Sequence, residues 1–125
     1  MSRLDRFWWG AGWGIAAAAV WFSLGPQALD NGLPQGDKFN HLAGYGALMF
    51  WFAQLPLPRV RLALACLALG VLLELAQGLT PHRQSDLYDA LANASGVALG
   101  WLSARLLPNP RQRLAEMRRI PESTL

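Results

Sequence analysis

The sequence predicts an all-α fold: a polytopic membrane protein of four transmembrane helices in an antiparallel bundle. Three observations lead there. The 125 residues are 53% hydrophobic and only 15% charged, too apolar for an ordinary soluble domain of this size. The apolar residues come in runs near the ~20 residues that one bilayer crossing needs. The ionisable residues inside those runs recur at helical spacing, the pattern of polar groups buried between helices.

The first span is expected at 7–25. It follows a short basic start and carries Trp8, Trp9 and Trp13 at one end and Trp21 near the other, the placement of interfacial aromatics. A signal peptide has a similar outline, with a cleavage site within 16–19, but removing it leaves three spans. Gly10 and Gly14 stand four apart, a spacing that permits close helix contact. A Pro/Gly/Asn-rich loop follows, and Asp37 reads as the N-cap of the second span, 38–55. On that span Lys38, His41 and Tyr45 share an arc of about 60°. Pro56 and Pro58 end it. The third span, 62–79, carries Gly70, Glu74 and Gln77 on one face. A tight loop with His82 and Arg83 leads to the fourth span, 86–107, where Asp86, Asp89, Asn93, Gly96 and Gly100 form one stripe. Residues 1–107 thus form the membrane domain. Residues 108–125 are a basic cytoplasmic tail, expected on the surface or disordered, where it meets anionic inner-leaflet lipid or a cytosolic partner.

Charge sets the orientation. Arg3, Arg6, Arg59, Arg61, Arg105, Arg111, Arg113, Arg118 and Arg119 fall on one side of a four-span arrangement, and Lys38 and Arg83 on the other. The positive-inside rule then places both termini in the cytoplasm of an inner-membrane protein. The basic pI near 9.8 reports this topology and not a nucleic-acid partner. One cysteine, Cys66, excludes an intrachain disulfide and reads as inert core.

Topology brings the polar residues to one depth. Lys38 and His41 start span two, Glu74 and Gln77 end span three, and Asp86, Asp89 and Asn93 start span four, all within about 10–12 Å of the outer interface. If these faces meet, they line one small outward pocket. Asp37, Glu74, Asp86 and Asp89 against Lys38 and Arg83 give four negative and two positive charges, about −2 with His41 neutral. A carboxylate protonated by burial, a bound cation, a cationic substrate and simple solvation of the outermost acids each satisfy that count.

Asp37-Lys38-Phe-Asn-His41 with Tyr45, then Glu74-Leu-Ala-Gln77, then Arg83, Asp86, Asp89, Asn93 and Gly96 in order resemble the VanZ-like family. These small integral membrane proteins take their name from a teicoplanin-resistance protein. The resemblance covers spans two to four, about half the chain. It implies a four-helix membrane fold with the polar motif residues near the outer face. It brings no settled biochemical activity. Members are linked to lowered sensitivity to teicoplanin-type antibiotics, which act on lipid-linked cell-wall precursors. That link suggests envelope lipids or such precursors as partners, without implying an antibiotic-resistance role for this chain.

The leading expectation is binding or movement of an anionic envelope lipid or precursor. Lys38, His41 and Arg83 face the phosphate, and Asp37, Tyr45, Glu74, Gln77, Asp86, Asp89 and Asn93 complete the site. A second reading is an enzyme acting on a lipid phosphoester at the outer leaflet, with His41 and Glu74 or Asp89 moving the proton; no nucleophile elbow or phosphate loop accompanies them. A third is a structural module whose polar groups only lock the bundle. Interhelical polar contacts in membranes average under about 1 kcal/mol, so this many ionisable groups are a costly way to do that. His41 with Glu74, Asp86 and Asp89 has donors for a divalent metal, but the spacing matches no metal motif and Lys38 and Arg83 oppose a cation. No metal or cofactor is therefore expected. Asn93 reads as a helix–helix bond, Gly96 and Gly100 as packing, His82 as a solvated loop residue, and Trp8, Trp9, Trp51 and Trp101 as interfacial or lipid-facing.

Overall fold

A computed structural model describes residues 1–24, 36–81 and 87–118, of which 36 and 37 are described in backbone only. The expectations for the Asp37 side chain, His82, Arg83, Asp86 and Arg119 lie outside the described residues. Within them the chain is all-α: α1 Arg3–Leu24, α2 Gly36–Phe52, α3 Arg59–Gly78, α4 Leu87–Leu106 and α5 Pro110–Met117.

Local chemistry sets the ends. Ser2 opens α1 as a capping box, its hydroxyl accepting from Asp5 N and its amide donating to Asp5 Oδ2. After Phe52 the chain tightens into i to i+3 bonds, from Gln54 N to Trp51 O and from Leu55 N to Phe52 O. Pro56 and Pro58 lack the N–H that continuing the helix requires. Pro58, extended, sits at the N-cap of α3. Asn109 caps α5 by accepting from Gln112 N, with Pro110 at the first helical position. The expected tail thus contains a short helix without buried residues. It is tied to α1 by Arg111, whose Nε and Nη2 donate to Asp5 Oδ1.

Helices consecutive in sequence run antiparallel: Gly70 of α3 faces Asn93 of α4, and Arg59 at the start of α3 donates to the Ala104 carbonyl near the end of α4. The most extensive contact is between α2 and α4, which run parallel to each other. Their seam is made of glycine. A Cβ on Gly96 would meet the Leu42 carbonyl oxygen, and one on Gly100 the Gly46 carbonyl oxygen, with Met49 Cβ 2.9 Å away. Only hydrogen at these positions lets the two backbones approach so closely. Gly10 and Gly14, by contrast, touch nothing within 4 Å of an added Cβ. The close approach on α1 is at Gly12, against Phe52 and Trp51.

Trp8 corrects the lipid-facing reading. It is 4% exposed and stacks on Trp51 at 4.2 Å and 10°. Each indole N–H donates to the other residue's carbonyl, at 3.1 and 2.9 Å. Two amphipathic rings satisfy each other here, so neither needs the interface.

The distribution of side chains is inverted relative to a soluble bundle. Ser23, Gln54, Glu74, Gln77 and Asn93 are buried, while α3 exposes Leu64, Val71, Leu72 and Leu75, the last two at 63%. A soluble helix hides that stripe. α3 is long and apolar enough to cross a membrane, with mean hydropathy 1.8 over its best window.

Candidate functional site

Three helix ends build the site. The start of α2 supplies Lys38, His41 and Tyr45, the end of α3 supplies Glu74, and the start of α4 supplies Asp89 and Asn93. Gly70, one turn before Glu74, makes room for them. A Cβ there would crowd Asn93 Nδ2 at 3.2 Å and touch Tyr45 Cε1 at 3.5 Å.

His41 is the hub. Its Nδ1 lies 3.0 Å from Asn93 Oδ1. That oxygen can only accept, so Nδ1 carries the proton, and in a neutral ring Nε2 has the lone pair. Nε2 points to Asp89 Oδ2 at 3.9 Å, beyond hydrogen-bond reach. Lys38 Nζ stands 3.7 Å from Asp89 Oδ1, and that oxygen is buried without a hydrogen-bond partner. One ligand atom each from His41, Glu74 and Asp89 lie within 4.8 Å of one another.

Exposure falls steadily inward. The Lys38 side chain is 33% exposed, Glu74 7%, Asn93 3% and Tyr45 2%. Lys38 is therefore the mouth of the site and Glu74 lies near its floor. The Tyr45 hydroxyl is buried without a hydrogen-bond partner, within reach of the Glu74 charge. Lys38 against Glu74 and Asp89 leaves one negative charge among the described residues when His41 is neutral. Such a charge is costly in a low-dielectric interior unless an ion, a proton or a ligand offsets it.

Of the residues that the sequence nominates, Lys38, His41, Tyr45, Glu74, Asp89 and Asn93 meet here. Gln77 is buried, but its amide nitrogen donates to the Ser23 carbonyl of α1 at 2.7 Å, a structural tie. Asn93 makes the helix–helix bond expected of it. Cys66 is buried and unpaired. The space-making part of Gly70 and the hub role of His41 are the features that the linear pattern left open.

A family model, VanZ/LLP1, matches residues 7–108. The chain belongs to the VanZ/LLP1 family. No curated protein and no solved structure matches it. The matched stretch takes in α1 to α4 whole except for the first residues of α1, so every described site residue of this VanZ-like chain falls inside the family region.

Proposed function

We propose that this VanZ-like protein crosses the inner membrane four times, through α1 to α4, with both termini in the cytoplasm. Its outward polar site engages the phosphate-bearing headgroup of an envelope lipid or lipid-linked cell-wall precursor. One observation carries the reading: Lys38, His41, Glu74, Asp89 and Asn93 from three helices gather at one end of the bundle, opposite the end that holds Arg59, Arg105 and Arg111. The inverted side-chain distribution supports the membrane setting, since lipid accepts Leu72 and Leu75 where water does not. α2, at 17 residues, is about 26 Å long, the short end of what a bilayer accommodates.

In this reading Lys38 at the mouth exchanges its loose partner Asp89 for a phosphate oxygen, and His41 receives the headgroup behind it. Native mass spectrometry of gently extracted protein tests the site. An anionic lipid or polyprenyl phosphate should co-purify with the wild type and be lost on Lys38→Ala. Equal retention by both, or no retained lipid in the wild type, removes the reading.

A further inference from the structure

We infer that His41, Glu74 and Asp89 form a binding site for one divalent transition-metal ion of the zinc type, with His41 Nε2 and one oxygen of each carboxylate as its ligands. Sequence spacing alone argued against such a site, because the three residues sit on three helices and no short motif joins them. The structure supplies what spacing lacked. One ligand atom from each already lies within 4.8 Å of the other two.

The state of His41 points the same way. Its Nδ1 is held by Asn93 Oδ1 at 3.0 Å, which orients the ring and turns Nε2 toward the carboxylates. A metal-bound histidine is held in this way, by an outer acceptor on its second nitrogen. The 3.9 Å from Nε2 to Asp89 Oδ2 is too long for a hydrogen bond. Ligands about 2.0–2.2 Å from a zinc ion lie roughly 3–3.5 Å from one another, so the two atoms need to close by only about half an ångström. Tyr45 provides an independent sign. Its hydroxyl is buried, lacks a hydrogen-bond partner and feels the Glu74 charge.

Donor chemistry selects the ion. One imidazole and two carboxylates suit zinc or manganese, whereas calcium and magnesium prefer oxygen throughout. A 2+ ion also reverses the local charge, from −1 to +1 with Lys38 counted. Among the described residues Lys38 is the one that opposes a cation. It is the most exposed of the cluster and stands 3.7 Å from Asp89, at the mouth, where its charge is screened by water. Three protein ligands leave a coordination position open. If the site takes a phosphate headgroup as proposed above, that position is where a phosphate oxygen would be held. The ion itself does not depend on the lipid.

The test uses the full chain without an affinity tag, in detergent, with Zn2+ alone as the probe. Metal content after dialysis against metal-free buffer should approach one zinc per chain, and Zn2+ should raise the melting temperature of metal-stripped protein. Co2+ in place of Zn2+ should give visible ligand-field bands of a nitrogen–oxygen site. His41→Ala and Asp89→Asn should weaken Zn2+ binding at least 100-fold, and Glu74→Gln, nearly isosteric, should do so with the fold kept. Asn93→Ala, which removes only the positioning of His41, should weaken it 10- to 100-fold. Glu116→Gln on α5 should change nothing. A wild type with no zinc and no thermal response overturns the site, as does zinc that persists in Glu74→Gln. Lipid is read separately, in the same preparations treated with EDTA. Lipid retained without zinc binding sinks the metal site and leaves the lipid reading standing; zinc binding without lipid does the reverse.

Discussion

The two ends of the bundle solve the same problem in opposite ways. At the Trp8 end, polar groups that enter the helical core are closed off in pairs. Trp8 and Trp51 exchange N–H bonds, Gln54 donates to Phe50 O and accepts at its carbonyl from Asn109, Arg59 finds Ala104 O, and Arg111 finds Asp5. At the His41 end the geometry is looser. Asp89 faces Lys38 and His41 at 3.7 and 3.9 Å, and Asp89 Oδ1 and Tyr45 Oη lack hydrogen-bond partners. Buried polar atoms are ordinarily satisfied. An end that closes its bonds favours stability, and buried oxygens left without one carry a cost that the proposed ligand would relieve.

Breaking the glycine seam should erase this difference by separating α2 from α4 altogether. Gly96→Leu or Gly100→Val forces a side chain into opposing backbone, which cannot yield as a flexible side chain can. We expect loss of monodisperse protein in detergent, a cost above the usual ~1–3 kcal/mol of overpacking. Gly44→Ala, where an added Cβ meets nothing within 4 Å, should instead be neutral or gain up to about 1 kcal/mol. Size-exclusion profiles and thermal melts separate the two results, and a folded Gly96→Leu contradicts the seam.

The closed end should show its worth next. Trp8→Ala removes the stacked pair and the hydrogen bond that the Trp8 indole donates to Trp51 O, about 1–3 kcal/mol from typical values of each. Reversible unfolding in mixed micelles measures it; a loss under about 0.5 kcal/mol would mean that the pair is not a fastening. The open end should behave in the contrary way. In metal-free protein Glu74→Gln leaves Lys38 balanced by Asp89, and we expect stability unchanged or raised, because the surplus buried negative charge is removed. Asn93→Ala should cost about 0.6 kcal/mol, the mean for a polar contact between membrane helices. A cost of several kcal/mol for Glu74→Gln would recast the His41 end as structural.

The smallest effect is a pH dependence at the closed end. The hydrogen bond from Arg111, aided by those from Ser2, lowers the Asp5 pKa from 3.8 to about 2. Because the folded value lies below the unfolded one, the Asp5 contribution is present above pH ~4 and is lost as pH falls toward 2. A carboxyl titration of Asp5 by NMR should give the low value in wild type and a value raised toward 3.8 in Arg111→Ala, where the Ser2 bonds remain. A titration unchanged by Arg111→Ala would detach α5 from α1.

Much of the fold was legible. Spans read at 7–25, 38–55, 62–79 and 86–107 fall within about four residues of the ends of α1 to α4, because apolar run length and proline positions are local signals. That His41, Glu74, Asp89 and Asn93 come together was also legible, since helical period and loop count place residues on a face and at an end. Side-to-side neighbours were not. Nothing in the spacing of Trp8 and Trp51, 43 residues apart, says that the rings pair instead of lying against lipid, because both environments favour tryptophan. Gly10 and Gly14 carry the same spacing as Gly96 and Gly100, yet only the latter pair meets a partner helix. The link from Asp5 to Arg111 needed the position of α5, which no periodicity encodes.

The parallel pairing of α2 with α4 also has a consequence for biosynthesis. His41 and its partner Asn93 are 52 positions apart. At ~5–20 residues per second, the ribosome delivers Asn93 some 3–10 s after His41. During that interval α2 and α3 exist without the glycine face of α4, and Lys38 and His41 without Asp89. The first hairpins are provisional, and the last long helix turns a set of separate helices into a closed bundle.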